Sequence, residues 1–491
     1  MLSEQEIVRR EKLEKISAAG IRAYPDRYET THTLAEASKL EDATEAVAVA
    51  GRLTAIRQIG RLTFATLQDI HAKYQICMKA DNLEKYDEIL SQIDIGDFIG
   101  VKGSTFTTKK NEKTLQVKQY TFLGKCLRPL PEKWHGLTDI ESRYRQRYLD
   151  LIVNPETQQR MLFRTTVVRE VRRFLEDRSF IEVETPVLQA QASGALARPF
   201  KTHHNALDAD FYLRIAPETY LKRLIVGGFN HVFEIARCFR NEGIGPNHLQ
   251  EFTMVEGYSA YWNFQDNMKL MRELMLHIVS KMSGNHVVVL ENSTSGKHTL
   301  DLSEEWETVT FRELLKRDID LDIDQFPTAE LLLAEIKRLK INLEEPNVHV
   351  LGRGNLIDLL YKRVSRPKLI KPTFLVSHPI DLSPLARAND NNPQLTDRFQ
   401  VVVNGVEIVN AYSELVDPIE QAKRLELQAQ AQKRGDQDAM VKEDDYVIAM
   451  EYGMPPISGW GFGIERLVQF LTACENIKDC VLFPLSKPKN D

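Results

Sequence analysis

Cysteine is scarce in this 491-residue sequence: Cys77, Cys126, Cys238, Cys474 and Cys480 make an odd set with no Cys-x-x-Cys pair. That excludes a disulfide framework and a cysteine-built zinc site, and leaves reduced structural thiols. No stretch reaches the roughly 20 consecutive apolar residues that span a bilayer. The start, Met1-Leu-Ser-Glu-Gln-Glu, has neither the basic cluster nor the apolar run of a secretory signal. The expectation is therefore no membrane partner and a cytoplasmic location. Positive charge is also in deficit, since 64 Lys and Arg against 70 Asp and Glu give a formal net charge of -6. Phosphate is not attracted globally, so any nucleic acid has to be met by local basic patches. No Walker loop G-x-x-x-x-G-K-[ST], internal repeat or low-complexity tract occurs.

What is present is an ordinary globular composition, 43% hydrophobic and 27% charged, at a length that suggests roughly two or three domains. Residues 1–46 read as a helical leader, exposed along Ser3 to Ala19, where Ile7, Leu13 and Ile16 recur among charges before Gly20 and Pro25. From 47 to 127, β-rich runs at 47–53, 61–67, 74–78, 98–102 and 114–122 surround a charged helical insert at 82–93, which predicts a small closed barrel such as the OB-fold. Its first strands carry Arg57, Arg61, Phe64, Lys73 and Gln75. That mixture suits stacked single-stranded bases, and equally an ordinary solvated sheet with Phe64 in its core. Residues 128–153 read as a linker, because Pro129 and Pro131 forbid regular structure there. Within it Arg143, Arg145 and Arg147 stand beside Tyr144 and Tyr148, a cluster able to lie against RNA or a second subunit.

Residues 154–491 predict an α+β domain on a mainly antiparallel sheet with flanking helices. It opens on a helix striped with Phe163, Val167, Val171, Phe174 and Leu175, then a strand at 180–184 that stops at Pro186. Strands follow at 211–215, 231–240, 252–258, 398–403 and 405–412. Residues 285–393 read as an inserted helical region, with a helix at 328–339, and 421–438 as a polar surface helix.

Three blocks can carry chemistry. In Phe239-Arg240-Asn241-Glu242 and the following strand, period-two alternation puts Phe252, Met254, Glu256 and Tyr258 on one face. Arg240 can offer its fork to a phosphate or a carboxylate, and His248 lies in the loop where a second anionic group can reach; a charged hairpin facing water is the plain alternative. In the second block, 404–414, carboxylates can hold magnesium on ATP phosphates or neutralise a cationic substrate. Alternation groups Asn410, Tyr412 and Glu414 but sets Glu407 opposite, so a β-bulge is needed to unite all four. The third block, Gly459-Trp-Gly461-Phe-Gly463-Ile-Glu-Arg466, runs alternate glycines into a helix, allowing close backbone approach to a nucleotide with Arg466 near its terminal phosphate.

In order, the helix and strand ending at Pro186, the Phe239-Arg-Asn-Glu242 hairpin and the glycine run into the helix of Arg466 resemble the three motifs of class II aminoacyl-tRNA synthetases. Within that class, the run 192–208, then Tyr212-Leu-Arg-Ile-Ala-Pro-Glu218-Thr-Tyr-Leu-Lys-Arg, the run 143–151 and Leu67-Gln-Asp in the barrel closely resemble the lysyl enzymes of class IIb. The resemblance implies activation of L-lysine with ATP to lysyl-adenylate and transfer to tRNA(Lys), by a magnesium-dependent homodimer. It implies catalytic roles for Arg240, Glu242 and Arg466, and ATP contacts from these with His248, Phe252 and Glu407. Gly194 and Glu218 would take the lysine α-amino group, Asn410 would lie near its carboxylate, and Tyr258 and Glu414, supported by Glu256 and joined by Tyr412, would take the ε-ammonium. Arg57, Phe64 and Gln75 would meet the anticodon. Departures are Asn247 where Arg is frequent, Val409 and Ala411 for glycines, Glu465 for Asp, Gln119 for an acidic residue, and Gln400 for Glu. The last removes one negative charge from the implied metal pair Gln400 and Glu407 and leaves the number of magnesium ions open.

Overall fold

The computed structural model describes residues 2–131, 137–191, 194–195, 197–243, 245–292, 296–433 and 443–488. Residues 132–136 of the expected linker, Ala192, Ser193 and Leu196 of the lysyl-like run, and 434–438 of the expected polar helix lie outside them. The chain divides into two compact units, Met1–Gln158 and Gln159–Asp491.

In the first unit, α1 (Glu4–Ala18) is started by a capping box in which the Ser3 hydroxyl accepts from the Glu6 N–H and the Glu6 carboxylate accepts from the Ser3 N–H. The helix is not a free leader. Ile16 is fully buried and, with Leu13, packs into the same core as the barrel strands. After the short α2 (Leu34–Ala37) come β1 (Val47–Ile59), β2 (Leu62–Gln68), β3 (Lys73–Lys79), α3 (Tyr86–Gln92), β4 (Phe98–Thr107) and β5 (Lys113–Gly124). They close a barrel in the order β1-β2-β3-β5-β4. Along β2, Thr63, Ala65 and Leu67 point inward, so Phe64 is half-buried on the outer face rather than in the core. Arg57 pairs with Phe64, and Thr66 with Gln75, which sets Arg57, Phe64 and Gln75 on that same outer face.

The expected linker is largely structured, because the prolines act only locally. Asp139 caps α4 (Ile140–Arg145), and α5 (Arg147–Val153) follows. Buried Asp150 accepts from Arg143 Nε at 2.9 Å and pairs with buried Arg147, while Arg145 pairs with Glu141 at 2.7 Å. The arginines read as able to lie against RNA or a second subunit are thus drawn onto carboxylates of their own segment.

Helix α6 (Pro155–Glu176) contains the boundary between the units. The second unit then gives β6 (Ile181–Glu182), β7 (Leu188–Gln189), β8 (Lys201–His204), β9 (Ala209–Leu213), α7 (Glu218–Val226), β10 (His231–Phe239), β11 (Glu251–Ala260) and α8 (Phe264–Ser283). Next are the hairpin β12 (Val287–Asn292) and β13 (Gly296–Asp301), β14 (Glu307–Thr310), α9 (Phe311–Ile319), α10 (Ala329–Arg338), α11 (Arg353–Val364) and β15 (Thr373–Val376). Last come β16 (Arg398–Val403), β17 (Val406–Ser413), α12 (Pro418–Lys433), α13 (Asp444–Glu451), β18 (Ile457–Gly463) and α14 (Ile464–Leu471). An eight-stranded sheet has the order β14-β15-β16-β17-β18-β11-β10-β6, parallel only at its two outer pairs. This is an α+β fold.

The segment 285–393 is more than a helical insertion. It contributes β14 and β15 to the sheet, and α9, α10 and α11 share a core with Leu375 of β15 and Val402 of β16. On one face of the sheet, Phe233, Val255, Phe399, Val401, Val409, Ala411, Trp460 and Phe462 pack against Val167 and Phe174 of α6, Leu270 and Leu274 of α8, and Leu467 of α14. Val409 and Ala411, which stand in place of glycines, therefore face this helix layer. Strand alternation leaves the other face as the floor of a cavity.

Candidate active site

The floor is built by residues one position out of phase with the core. Phe252, Met254, Glu256 and Tyr258 of β11, Asn410 and Tyr412 of β17, and Gly459, Gly461 and Gly463 of β18 all line one cavity. Register supplies the bulge that the sequence left open. Val401 pairs with Val409 but Val402 with Glu407, so Ile408 is an extra residue in β17. That inversion brings Glu407 into the same cavity as Asn410 and Tyr412.

At one end lies a buried ionic cluster. Glu218, in the first turn of α7, accepts from the Tyr412 hydroxyl at 2.7 Å and from Lys222 Nζ at 2.5 Å. The Lys222 ammonium, with no exposed side-chain surface, also lies 2.5 Å from Glu414 Oε2. It stands over the rings of Tyr258, Tyr412 and Tyr446, 5.8, 5.7 and 5.6 Å from their centroids. Burial opposes the charge on Lys222, but Glu218 and Glu414 outweigh it and hold the ammonium protonated. Burial and the Glu218 charge raise the Glu256 carboxyl well above its usual range, opposed by Arg240 and Lys222. Burial also raises Glu414, to about 8, against the pull of Lys222 and with the push of Glu218. The Tyr258 hydroxyl reaches Glu256 Oε2 at 3.5 Å. Glu234, the cross-strand neighbour of Glu256, is paired separately with Arg214 at 2.5 Å.

Glycines make room for this cluster. A Cβ on Gly459 would stand 2.3 Å from the Tyr258 ring and 2.5 Å from Glu414 Oε1, and one on Gly461 would stand 3.1 Å from Glu256 Cγ. Gly194, at φ +85, would meet Glu218 Cβ at 2.9 Å. The alternate glycines of β18 are thus strand positions that admit carboxylates and a phenol, and only Gly463 serves as the helix N-cap.

At the other end the charge is reversed. The Arg240 guanidinium lies 5.1 Å from the Phe252 ring centroid, and Glu242, His248 and Arg466 line the same cavity. Burial, then the charges of Arg466, Arg366 and Arg240, lower His248 against the opposing effect of Glu242, so the imidazole is neutral at neutral pH. Arg466, in the first turn of α14, donates to the Glu407 carbonyl at 3.5 Å. Gln400 Nε2 donates to Glu407 Oε2 at 2.7 Å. The pair Gln400 and Glu407 is brought together, but as donor and acceptor; an amide N–H presented to the carboxylate does not complement a cation. Among the described residues no group of three His, Cys, Asp or Glu is placed to hold a metal. Glu407 fits an outer contact to an ion carried by phosphates, and a two-carboxylate metal site does not fit.

Sequence reasoning missed three contributors. Lys222 follows Glu218 at i+4 on α7, a spacing that ordinarily marks a surface pair. Arg398 donates to Asn410 Oδ1 at 2.9 Å and to the Leu382 carbonyl at 2.8 Å, fixing the amide and the 382–386 wall. Tyr446, from α13, adds a third ring beside the Lys222 ammonium.

Residues 139–487 match the family of class II tRNA synthetases (D, K and N), and residues 47–123 match the OB-fold nucleic acid binding domain. The chain belongs to the class II tRNA synthetases. A lysine–tRNA ligase of Moorella thermoacetica is 44% identical over 487 residues, covering 99% of this chain and 98% of that one. Those of Pelotomaculum thermopropionicum (44%, covering 99% and 96%) and Carboxydothermus hydrogenoformans (43%, covering 100% and 99%) are similar over the same extent. No helix among the described residues of this synthetase is long and apolar enough to cross a membrane.

Proposed function

We propose that this synthetase is a lysine–tRNA ligase, which activates L-lysine with ATP to lysyl-adenylate, releases pyrophosphate, and transfers the lysyl group to tRNA(Lys), releasing AMP. The observation that carries the reading is the polarity of the cavity: buried Glu218 and Glu256 line one end, with Glu414 in the same ionic cluster through Lys222, and Arg240 and Arg466 line the other. A cationic amino acid and an anionic nucleotide complement those ends. An aspartate side chain would meet carboxylates instead.

In this reading Glu218, beside Gly194, receives the lysine α-ammonium, and Glu414 with Tyr258, supported by Glu256 and Tyr412, receives the ε-ammonium. Asn410, oriented by Arg398, meets the lysine carboxylate. Arg240 spans that carboxylate and the α-phosphate, while Phe252 stacks on adenine. Glu242 shares the ATP site with Arg240, and His248 and Arg466 meet the outer phosphates. A carboxylate oxygen of lysine attacks the α-phosphorus in line, and the bond from that phosphorus to the bridging oxygen breaks. A terminal ribose hydroxyl of the tRNA then attacks the lysyl carbonyl and loses its proton, the ester forms, and AMP leaves with the electron pair of the broken carbonyl–oxygen bond of the mixed anhydride. The protein contributes positioning and charge neutralisation. Magnesium bound with ATP would screen its phosphates, with Glu407 as the protein's contact.

The domain reading is a helical segment at 1–46 whose α1 packs into the barrel core, an anticodon-binding barrel at 47–127 acting through Arg57, Phe64 and Gln75, a connecting segment at 128–153, and a catalytic domain at 154–491. The active form is read as a cytoplasmic homodimer. ATP–pyrophosphate exchange measured with each of the twenty amino acids tests the assignment. Exchange is expected with lysine alone; exchange with aspartate or asparagine but not lysine would overturn it.

A further inference from the structure

We infer that Lys222 is a positioning and specificity-determining residue, a built-in ammonium that holds Glu218 and Glu414 in the places where they receive the two ammonium groups of substrate lysine and sets the charge the pocket accepts. The inference rests on the lysine reading above. Its geometry is direct: one Nζ touches both carboxylates at 2.5 Å, one on its own helix and one just beyond β17. Without that bridge the two buried anions would repel each other and turn apart or take up protons.

Charge matching gives the second argument. Glu218, Glu256 and Glu414 face Lys222 and Arg240, an excess of one carboxylate, while Glu234 is cancelled by Arg214. Free lysine at neutral pH carries one net positive charge; its binding draws Glu256 and Glu414 toward their charged forms, and the filled pocket is then neutral. Three phenol rings also stand around the Lys222 ammonium: Tyr258 from β11, Tyr412 from β17 and Tyr446 from α13. Their faces tolerate a cation without adding net charge. Removal of Lys222 leaves an excess of two carboxylates at full ionisation and pushes Glu414 and Glu256, already raised by burial, further toward their protonated forms. The lysine pocket then recovers only as the pH rises.

The test is lysine-dependent ATP–pyrophosphate exchange by the full chain with Lys222→Met and Lys222→Ala. Lys222→Met is expected to raise the lysine KM at least tenfold at pH 7, to leave the ATP KM within twofold, and to lose part of its defect by pH 8.5. Lys222→Ala should regain lysine affinity with added n-propylammonium but not with n-propanol, and this arm holds even if Lys222→Met fails to fold. Equal losses for lysine and ATP, independent of pH and of the added amine, would reduce Lys222 to a structural residue and overturn the inference. An unchanged lysine KM would do the same. If the unsubstituted protein shows no lysine-dependent exchange, the functional reading fails instead.

Discussion

Gly459→Ala places a methyl group where the structure has no space for one. The new Cβ would lie 2.3 and 2.7 Å from two atoms of the Tyr258 ring and 2.5 Å from Glu414 Oε1. β18 cannot retreat to relieve these contacts, since it is hydrogen-bonded on both sides, Gly459 standing opposite Tyr258 on β11 and Tyr412 on β17. Tyr258 and Glu414 have to move, and both belong to the proposed ε-ammonium site. Overpacking of a close-packed interior costs about 1–3 kcal/mol. If that strain falls on the lysine complex, the lysine KM rises on the order of 5- to 150-fold. The same strand supplies graded controls. Gly461→Ala meets only the flexible Glu256 side chain at 3.1 Å and should cost less, while Gly463→Ala has nothing within 4 Å and should leave the lysine KM within about twofold. Pyrophosphate exchange with lysine varied at saturating ATP reads the series directly. A Gly459→Ala enzyme with an unchanged lysine KM, or a Gly463→Ala enzyme as impaired as Gly459→Ala, would refute the assignment of these glycines to the amino-acid pocket.

Other expectations follow from the same geometry. Glu414, raised to about 8 although Lys222 lies beside it, has to be fully charged to take a second ammonium, that of the substrate; the lysine KM should therefore fall as the pH rises from 6.5 to 8.5, by up to about tenfold per unit below the titration, and a flat profile would contradict this. Glu414→Gln should raise the lysine KM far more than the ATP KM, and equal changes would remove Glu414 from the lysine site. Gln400→Glu replaces the amide that donates to Glu407 at 2.7 Å with a second carboxylate; exchange by the variant should gain a dependence on free magnesium beyond that needed to complex ATP, and coincident magnesium curves for variant and parent would count against the single-contact site. Phe64→Ala should lower kcat/KM for tRNA by on the order of 5- to 150-fold, from loss of one stacked base, with pyrophosphate exchange unchanged; unimpaired aminoacylation would exclude Phe64 from RNA contact.

The line between what the sequence disclosed and what it hid follows the difference between local pattern and register. Alternation along one strand was enough to put Phe252, Met254, Glu256 and Tyr258 on one wall, and five short β-rich runs with one helical insert were enough for the closed barrel. Hydrophobic spacing placed Val167 and Phe174 of α6 in the core. Beyond a single element the pattern failed. Pro129 and Pro131 suggested a linker, but the buried Arg147–Asp150 pair that orders the following helices depends on burial, which no spacing displays. β14 and β15 are each only four residues long and flank helices, so their membership in the central sheet could not be separated from an insertion.

The active site sharpens this distinction, because its decisive features are relations between strands. The sequence 404–414 demanded a bulge without locating it; the one-residue slip at Ile408 exists only in the pairing of β17 with β16. The alternate glycines of 459–463 looked suited to a nucleotide because they precede a helix, yet what they accommodate is set by their partners on β11 and β17: Tyr258, Glu256 and Tyr412. Lys222 is the extreme case. On its own helix it is an ordinary i+4 partner of Glu218, a pairing worth little on a surface, and only the arrival of Glu414 and three tyrosines from elements distant in sequence buries the ammonium. A carboxylate-rich pocket selects a cation only while its carboxylates stay charged. The residue that favours their charged forms is itself a lysine, and a pocket recognising lysine consequently has to distinguish its substrate from its own side chain by position alone.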